Sequence, residues 1–269
     1  MSNSAPPPSI RQSLAVQQRV VGALLRREFV NLSGRKGAGF LFVILEPCIF
    51  MLALSALFIF RRALGNAQFS MAAFALSGYG ILWSCRFQIM KSTNVISSNL
   101  PLFYHRNVRV LDVMISRATI QAACTTASFI LLFMLAYLLS MLPFPDDPLL
   151  IMYSWVLVQW YGFNLCILTG SLSALVSFGT KICILLNVAH VLCTGGLFMV
   201  DWLPHEYREI ALLFPMVHAT EMMRDGFFNE SMITYYDPVY IVTSNIIMSY
   251  MCLCTMLKYT KSEAVYGRS

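Results

Sequence analysis

Six consecutive residues, Gly34-Arg35-Lys36-Gly37-Ala38-Gly39, have the glycine and basic content of a loop that wraps phosphate. A P-loop also needs a Lys-Ser/Thr ending and a preceding strand, so that backbone N–H groups and the lysine converge on the phosphates. Neither is present and no Walker motif occurs elsewhere, so the chain does not bind ATP in that way. The stretch reads as a flexible basic hinge. Thr169-Gly170-Ser171-Leu172-Ser173 approaches the Gly-x-Ser-Gly serine of a rhomboid-like intramembrane protease, but the second glycine is missing. His190 lies deep in an apolar run and makes no dyad alone, and a membrane haem would want at least two axial ligands. The eight cysteines (48, 85, 124, 166, 183, 193, 252 and 254) sit in or beside apolar runs without a C-x-x-C pair. They read as small apolar core residues rather than metal ligands or disulfides. No catalytic residue, metal or cofactor is expected in this chain.

Other groups suit binding or coupling. Glu46-Pro47 interrupts an apolar run one to two turns in, where an ionisable residue is a functional candidate by default. The favoured reading is a kink with an interfacial carboxylate. Tyr79, Trp83, Arg86 and Met90, spaced four, three and four apart, share one helical face. Arg86 either snorkels to the membrane surface or lines a route for an anionic cargo beside Trp83, and the sequence leaves both open. Glu221 and Arg224, three apart, fit an ion pair within or between subunits. Holding a turn together is the favoured role for that pair.

The elements that position these groups are membrane spans. The chain is 58% hydrophobic and 12% charged, against roughly a quarter charged in a soluble domain. It cannot cover itself with polar surface, so lipid must. At about 20 residues per span, 269 residues accommodate six spans and no soluble catalytic domain. The runs are 40–60, 69–90, 118–139, 149–178, 182–200 and 239–257, and Gly195-Gly196 permits close backbone approach in the fifth. Before them, Val20, Val21, Leu24, Leu25, Phe29 and Leu32 share a broad face that largely excludes Arg19, Arg26, Arg27 and Glu28. That pattern predicts a helix lying in the membrane interface. Between 201 and 237, two apolar pieces too short to span and carrying charges predict a pair of short helices that dip in and return, shielded by protein.

Charge fixes the orientation. With the N-terminus inside, inner segments hold fifteen of the nineteen Lys and Arg, and outer segments hold Arg61, Arg62, Arg208 and Arg224. Both termini are therefore expected in the cytoplasm. The net charge of +6 is a topology signal, not a nucleic-acid signal. The one long basic break between spans is 99–117, with Arg106, Arg109 and Arg117 on the cytoplasmic side. Pro101 is expected to stop the preceding helix. From Val108 the apolar positions Val110, Leu111, Met114 and Ile115 recur at helical spacing, so a short amphipathic helix is expected there. Held between two membrane hairpins, it would be a handle on which a cytoplasmic partner could push.

Three stretches in order resemble the transmembrane (permease) subunit of ABC-2-type exporters of bacterial capsular polysaccharide. Leu25-Arg26-Arg27-Glu28, then Gly34-Arg35 and Leu45-Glu46-Pro47, looks like that family's interfacial helix and first span. The run Leu102-Phe103-Tyr104-His105-Arg106-Asn107-Val108-Arg109-Val110-Leu111-Asp112 is similar to its coupling segment. Pro215-Met216-Val217-His218, with Glu221 and Arg224, looks like its outer re-entrant pair. This chain departs from the family in having Leu32-Ser33 where a basic and aromatic pair is usual.

The resemblance implies an all-α integral membrane protein of the bacterial inner membrane. It would have six transmembrane helices, an N-terminal amphipathic interfacial helix, a cytoplasmic coupling helix and a re-entrant extracytoplasmic helix pair before the last span. Residues 1–39 would be a disordered lead and the interfacial helix, 40–257 the transmembrane domain, and 258–269 a cytoplasmic tail. Two copies would line one pathway. Two separate cytoplasmic subunits would bind ATP and Mg and grip Phe103, Tyr104, His105, Arg106, Asn107, Arg109 and Asp112, together with the interfacial helix at Arg26, Arg27 and Glu28. The cargo would be a lipid-linked acidic polysaccharide, passed on to a periplasmic co-polymerase and an outer-membrane channel. Arg61, Arg62, Tyr79, Trp83, Arg86 and Trp202 would be the pathway residues, because aromatics and arginines suit sugar rings and acidic groups. Two alternatives stand beside it. One is an ABC-2 exporter of another glycolipid or O-antigen-like polymer. The other is an ion-coupled secondary transporter, which would usually show internal repeats and charges near span centres.

Overall fold

Two Asp-Pro pairs start the long helices that anchor the fold. Asp147 Oδ1 accepts from the backbone N–H groups of Leu149 (3.0 Å) and Leu150 (3.1 Å), and Pro148 takes the first helical position. Asp237 Oδ1 does the same for Val239 (2.9 Å) and Tyr240 (3.2 Å), with Pro238 following. A carboxylate cap satisfies orphan N–H groups, and proline tolerates the one position that has no partner to lose.

The computed structural model describes residues 10–33, 45, 49, 71–103, 108–140, 142, 144–228 and 232–266. Of the expected first span at 40–60 only Leu45 and Ile49 are among the described residues; Glu46-Pro47 and the hinge 34–39 lie outside them. Among the described residues there are nine α-helices and no strand. They are α1 (Ile10–Ser33), α2 (Met71–Ser92), α3 (Leu100–Phe103), α4 (Val110–Leu138), α5 (Pro148–Leu175), α6 (Gly179–Cys193), α7 (His205–Leu212), α8 (Pro215–Phe228) and α9 (Pro238–Tyr266).

Helix α5 is the central post, packed by α2, α4, α6, α8 and α9. Its seam with α9 is polar. Asn164 Nδ2 donates to the Asn245 carbonyl (3.2 Å), Asn245 Nδ2 to the Leu157 carbonyl (3.3 Å), and Trp160 Nε1 to Ser249 Oγ (3.0 Å). Small and polar side chains serve between membrane helices, because lipid supplies no hydrophobic drive to associate. Helix α2 is buried on most sides, with Ser77, Ser84, Gln88 and Ser92 wholly inside. Its polarity is a consequence of facing protein rather than lipid.

Three described helices are long and apolar enough to cross a membrane: α4, α5 and the Pro238–Thr260 part of α9. The spans expected at 118–139, 149–178 and 239–257 correspond to them. Helix α2 occupies the second expected run, but its polarity keeps it out of that class. The fifth expected run is shorter than anticipated. Helix α6 ends at Cys193, and its 15 residues reach only about 22 Å. Gly195 follows at φ +66°, a conformation that ends helices and that only glycine adopts freely.

The break at 99–117 is also organised differently. No short amphipathic helix starts at Val108. Val110 to Arg117 are the first two turns of the 29-residue α4. Pro101 does not stop α2, which ends at Ser92, but sits at the second position of α3, where a proline is tolerated.

Candidate functional site

At the end of the bundle that carries Lys91, Arg109, Arg117 and Lys258, helix α1 lies along α4. Three polar links fasten it. Glu28 is 4% exposed and pairs with Arg117, whose Nε lies 3.0 Å from Oε2 and whose Nη2 donates to Oε1 at 3.2 Å. Arg27 Nη1 donates to Asn99 Oδ1 (2.7 Å), and Gln17 Nε2 donates to Asp112. Arg117 Nη1 also donates to the Lys91 carbonyl at the end of α2 (3.2 Å). This clasp corrects two expectations. Glu28 does not stand on an outer polar face but is buried against α4. The apolar strip of α1 does not all meet lipid either: Leu24 joins a buried cluster with Val95, Val110, Met114 and Met256, while Phe29 and Val30 are exposed. Arg26 is exposed.

Of the coupling residues, Tyr104, His105, Arg106 and Asn107 lie outside the described residues. Phe103 is half-buried and Arg109 exposed, and with Val108, Met256 and Leu257 they line a cleft of about 500 Å³. Asp112 is 3% exposed. Its Oδ2 accepts the Arg109 backbone N–H (3.1 Å) and its other oxygen accepts from Gln17, so it caps α4 and holds α1 rather than presenting its charge to a partner.

The aromatic face of α2 is a column. Tyr79 stacks on Trp83 (5.9 Å between centroids), Trp83 on Phe87 (6.4 Å), and Lys91 Nζ lies 5.5 Å above the Phe87 ring. The spacing of four continues through Phe87, so Arg86 stands beside the column rather than in it. Arg86 is half-buried, and its Nε has no hydrogen-bond partner. Arg61 and Arg62 lie outside the described residues.

At the opposite end, twelve of the fourteen residues of α8 are buried, all except Pro215 and Asp225. Pro215 opens the helix. The expected pair of inserted helices is thus one inserted helix and one surface helix, since α7 buries only Ala211 fully. Arg224 is fully buried and Glu221 nearly so, with 3.1 Å between Nη1 and Oε1. The guanidinium also donates to the Phe198 carbonyl (2.6 Å) and the Gly196 carbonyl (3.3 Å), and lies 4.3 Å from the centre of the Phe74 ring. Glu221 accepts from the backbone N–H groups of Val200 and Tyr235, each at 3.4 Å. Burial pushes the carboxyl up and the guanidinium down, opposing ionisation of both, and each partner offsets part of the other's shift. The half-exposed Trp202 also stacks on Phe74, with 5.2 Å between ring centroids. His218 Nδ1 accepts the Asp237 N–H (3.0 Å), which leaves Nε2 as the donor to the Leu212 carbonyl (2.7 Å).

The sequence reading did not single out Asn99 and Arg117 as partners of α1, or Phe74, Gly78 and Phe198 as members of the hub. A basic residue at the inner end of a span carries no mark of its partner. Gly78 had no motif around it, yet a Cβ there would stand 2.2 Å from the Gly196 carbonyl oxygen.

Residues 19–228 match the ABC-2 type transporter family. The chain is 34% identical to the capsule polysaccharide export inner-membrane protein CtrC of Neisseria meningitidis serogroup B, over 94% of this chain and 96% of that protein. It is 32% identical to the capsule polysaccharide export inner-membrane protein BexB of Haemophilus influenzae, with the same coverage. The polysialic acid transport protein KpsM of Escherichia coli is 23% identical over 95% of each chain. The buried α8 with its hub, the clasped basic end and the apolar post between them are thus the parts of a membrane transporter subunit, and the chain belongs to the ABC-2 type transporter family.

Proposed function

We propose that this chain is one half of the membrane part of an ATP-driven exporter that moves lipid-linked capsular polysaccharide across the inner membrane. The observation that carries the reading is the clasped basic end. There α1, the 3-10 turn Ser97–Asn99 and the first turns of α4 are joined by Glu28–Arg117, Arg27–Asn99 and Gln17–Asp112. Anything that moves the 99–109 segment moves α1 and α4 together. The names of the CtrC and BexB relatives supply the cargo class.

In this reading six spans carry both termini in the cytoplasm, with 1–39, 40–257 and 258–269 as lead and interfacial helix, membrane domain and tail. A second copy completes the pathway. Two cytoplasmic subunits bind ATP and Mg and dock on Phe103 to Asn107 and on Arg109, where basic side chains suit acidic or carbonyl partners. Asp112 serves the same contact from inside, by holding Arg109 and α1. ATP-driven closure pushes the clasp, and the spans move a lipid-linked acidic chain along a path that includes Tyr79, Trp83, Arg86, Arg61, Arg62 and Trp202. A periplasmic co-polymerase and an outer-membrane channel receive it. The chain itself performs no catalysis and holds no cofactor.

Co-purification of the chain with the cytoplasmic ATPase encoded beside it, followed by ATP turnover, tests the reading. A stable complex whose turnover is lost in Arg106→Glu/Arg109→Glu is expected. Intact docking and export in that variant would remove the coupling assignment. A chain that transports without any ATPase partner would return the secondary-transporter alternative.

A further inference from the structure

Between α4 and α5, at the end away from the basic clasp, a cleft of about 170 Å³ opens on the side of the bundle. None of its nine lining residues has a polar side chain. Phe129, Phe133, Ile151 and Phe227 form its depth, the last two 8% and 4% exposed, while Ile130 (55%) and Met152 (64%) stand at its mouth. We infer that this cleft is a binding site for one acyl chain of a bilayer phospholipid.

The walls decide the chemistry. Water and sugar both need hydrogen-bond partners, and here they would find none. The position decides the source. Phe133 and Ile130 lie five and eight residues before the end of α4, roughly 8–12 Å along its axis, a depth occupied by hydrocarbon in a core about 30 Å thick. The mouth is continuous with an exposed flank of Leu131, Met134, Leu135, Leu138, Leu149 and Val156. Close helix–helix contacts between membrane chains favour small residues that let backbones approach. This flank carries large flexible ones, which suit lipid rather than a second copy.

The floor gives the site its consequence. Phe227 lies three residues beyond Arg224 on the buried α8, and its ring centroid is 6.2 Å from that of Phe133. Next to it, the Gly226 carbonyl accepts the Asp147 N–H (3.0 Å), and a Cβ at Gly226 would stand 2.6 Å from Ile151. An acyl chain in the cleft rests on the end of α8 and stabilises its packing against α5.

Native mass spectrometry of the detergent-purified chain, relipidated with phosphatidylethanolamine and phosphatidylglycerol and then washed, tests the inference. One phospholipid adduct per chain is expected, with a higher Tm for the lipid-loaded protein. Ile130→Trp/Met152→Trp, which fills the mouth from exposed positions, is expected to lose both the adduct and the Tm gain. Leu149→Trp adds an indole outside the cleft and is expected to keep them. An adduct that survives Ile130→Trp/Met152→Trp, or no adduct on the native chain, overturns the site. Benzophenone photochemistry from p-benzoyl-phenylalanine at Phe144, an exposed aromatic on the rim, leaves Ile130 and Met152 native. A phospholipid-mass adduct supports the inference, and a covalent dimer assigns the cleft to a second copy and overturns it. All these readouts are independent of ATP turnover, so they stand or fall separately from the export reading.

Discussion

Arg224 shows what one residue does in a buried hub. Its guanidinium fork serves the Phe198 carbonyl, the Gly196 carbonyl and Glu221 at once, over the Phe74 ring. Arg224→Ala leaves all three acceptors without their donor and is expected to destabilise by about 3–5 kcal/mol, the scale for breaking a buried pair. Arg224→Lys keeps the charge but not the fork, so it is expected to recover only part of that loss. Glu221→Gln is expected to be the mildest of the three. Burial already opposes ionisation of this carboxyl, and an amide oxygen can still accept from Val200 and Tyr235. The sign follows from linkage. A carboxyl whose folded value lies above its unfolded one contributes stability that is present below the unfolded value and lost as pH rises through the folded one. The native chain should therefore gain on Glu221→Gln as the pH is lowered. Thermal unfolding of the purified variants at two pH values checks the order and the sign, and a Glu221→Gln loss equal to that of Arg224→Ala would refute both.

At the scale of elements, the clasp ties α1 to α4, so in the proposed reading α1 moves with the coupling segment. Glu28→Arg and Arg117→Glu each set like charges against one another at a site where the two side chains are 5% and 22% exposed. Each is expected to cost on the order of 2 kcal/mol, between exposed and buried pairs, and to lower ATP-dependent export. The exchange Glu28→Arg/Arg117→Glu is expected to restore much of both, and failure to do so would mean that the pair itself is not what matters. The sequence disclosed α1 through its apolar periodicity, and α4, α5 and α9 through their length and apolarity. It disclosed the Glu221–Arg224 pair through a spacing of three. It did not disclose that Glu28 turns inward, because a helix in contact with a polar partner buries polar residues and so blurs its own amphipathic pattern. Nor did it show that Val110–Arg117 continue into the membrane: charged Asp112 and Arg117 looked like loop content, yet each is satisfied by α1. The early end of α6 was legible only as Gly195-Gly196, a pair that permits close packing and a turn equally well. Residues 104–107 and most of the first span lie outside the described residues.

At the scale of the whole molecule, α2 connects the two ends. Its last turn is tied to the clasp by the bond from Arg117 to the Lys91 carbonyl. Its first turns carry Phe74 under Arg224 and Gly78 against Gly196. The 22 residues between Met71 and Ser92 form one helix, about 33 Å long, and most of its surface is enclosed by α4, α5, α6 and α8. A buried helix of that kind moves as a rod, because a close-packed interior transmits displacement rather than absorbing it. Motion imposed at the basic end is then felt at the hub, and the contact that hands it over is backbone against backbone at Gly78 and Gly196. A Cβ at Gly78 would stand 2.2 Å from the Gly196 oxygen, and one at Gly196 would stand 2.7 Å from the Gly78 oxygen. Neither fits without parting the two segments, at an expected cost of about 1–3 kcal/mol. The clasp lies at the far end of the rod and is untouched by either change. Gly78→Ala and Gly196→Ala are therefore expected to keep ATPase docking and ATP turnover while export falls, whereas Arg106→Glu/Arg109→Glu loses turnover and export together. Size-exclusion chromatography of the ATPase complex, ATP turnover and surface polysaccharide measured on the same strains separate the two behaviours. Normal export from Gly78→Ala, or loss of docking with it, would show that α2 is not the element through which the ends communicate.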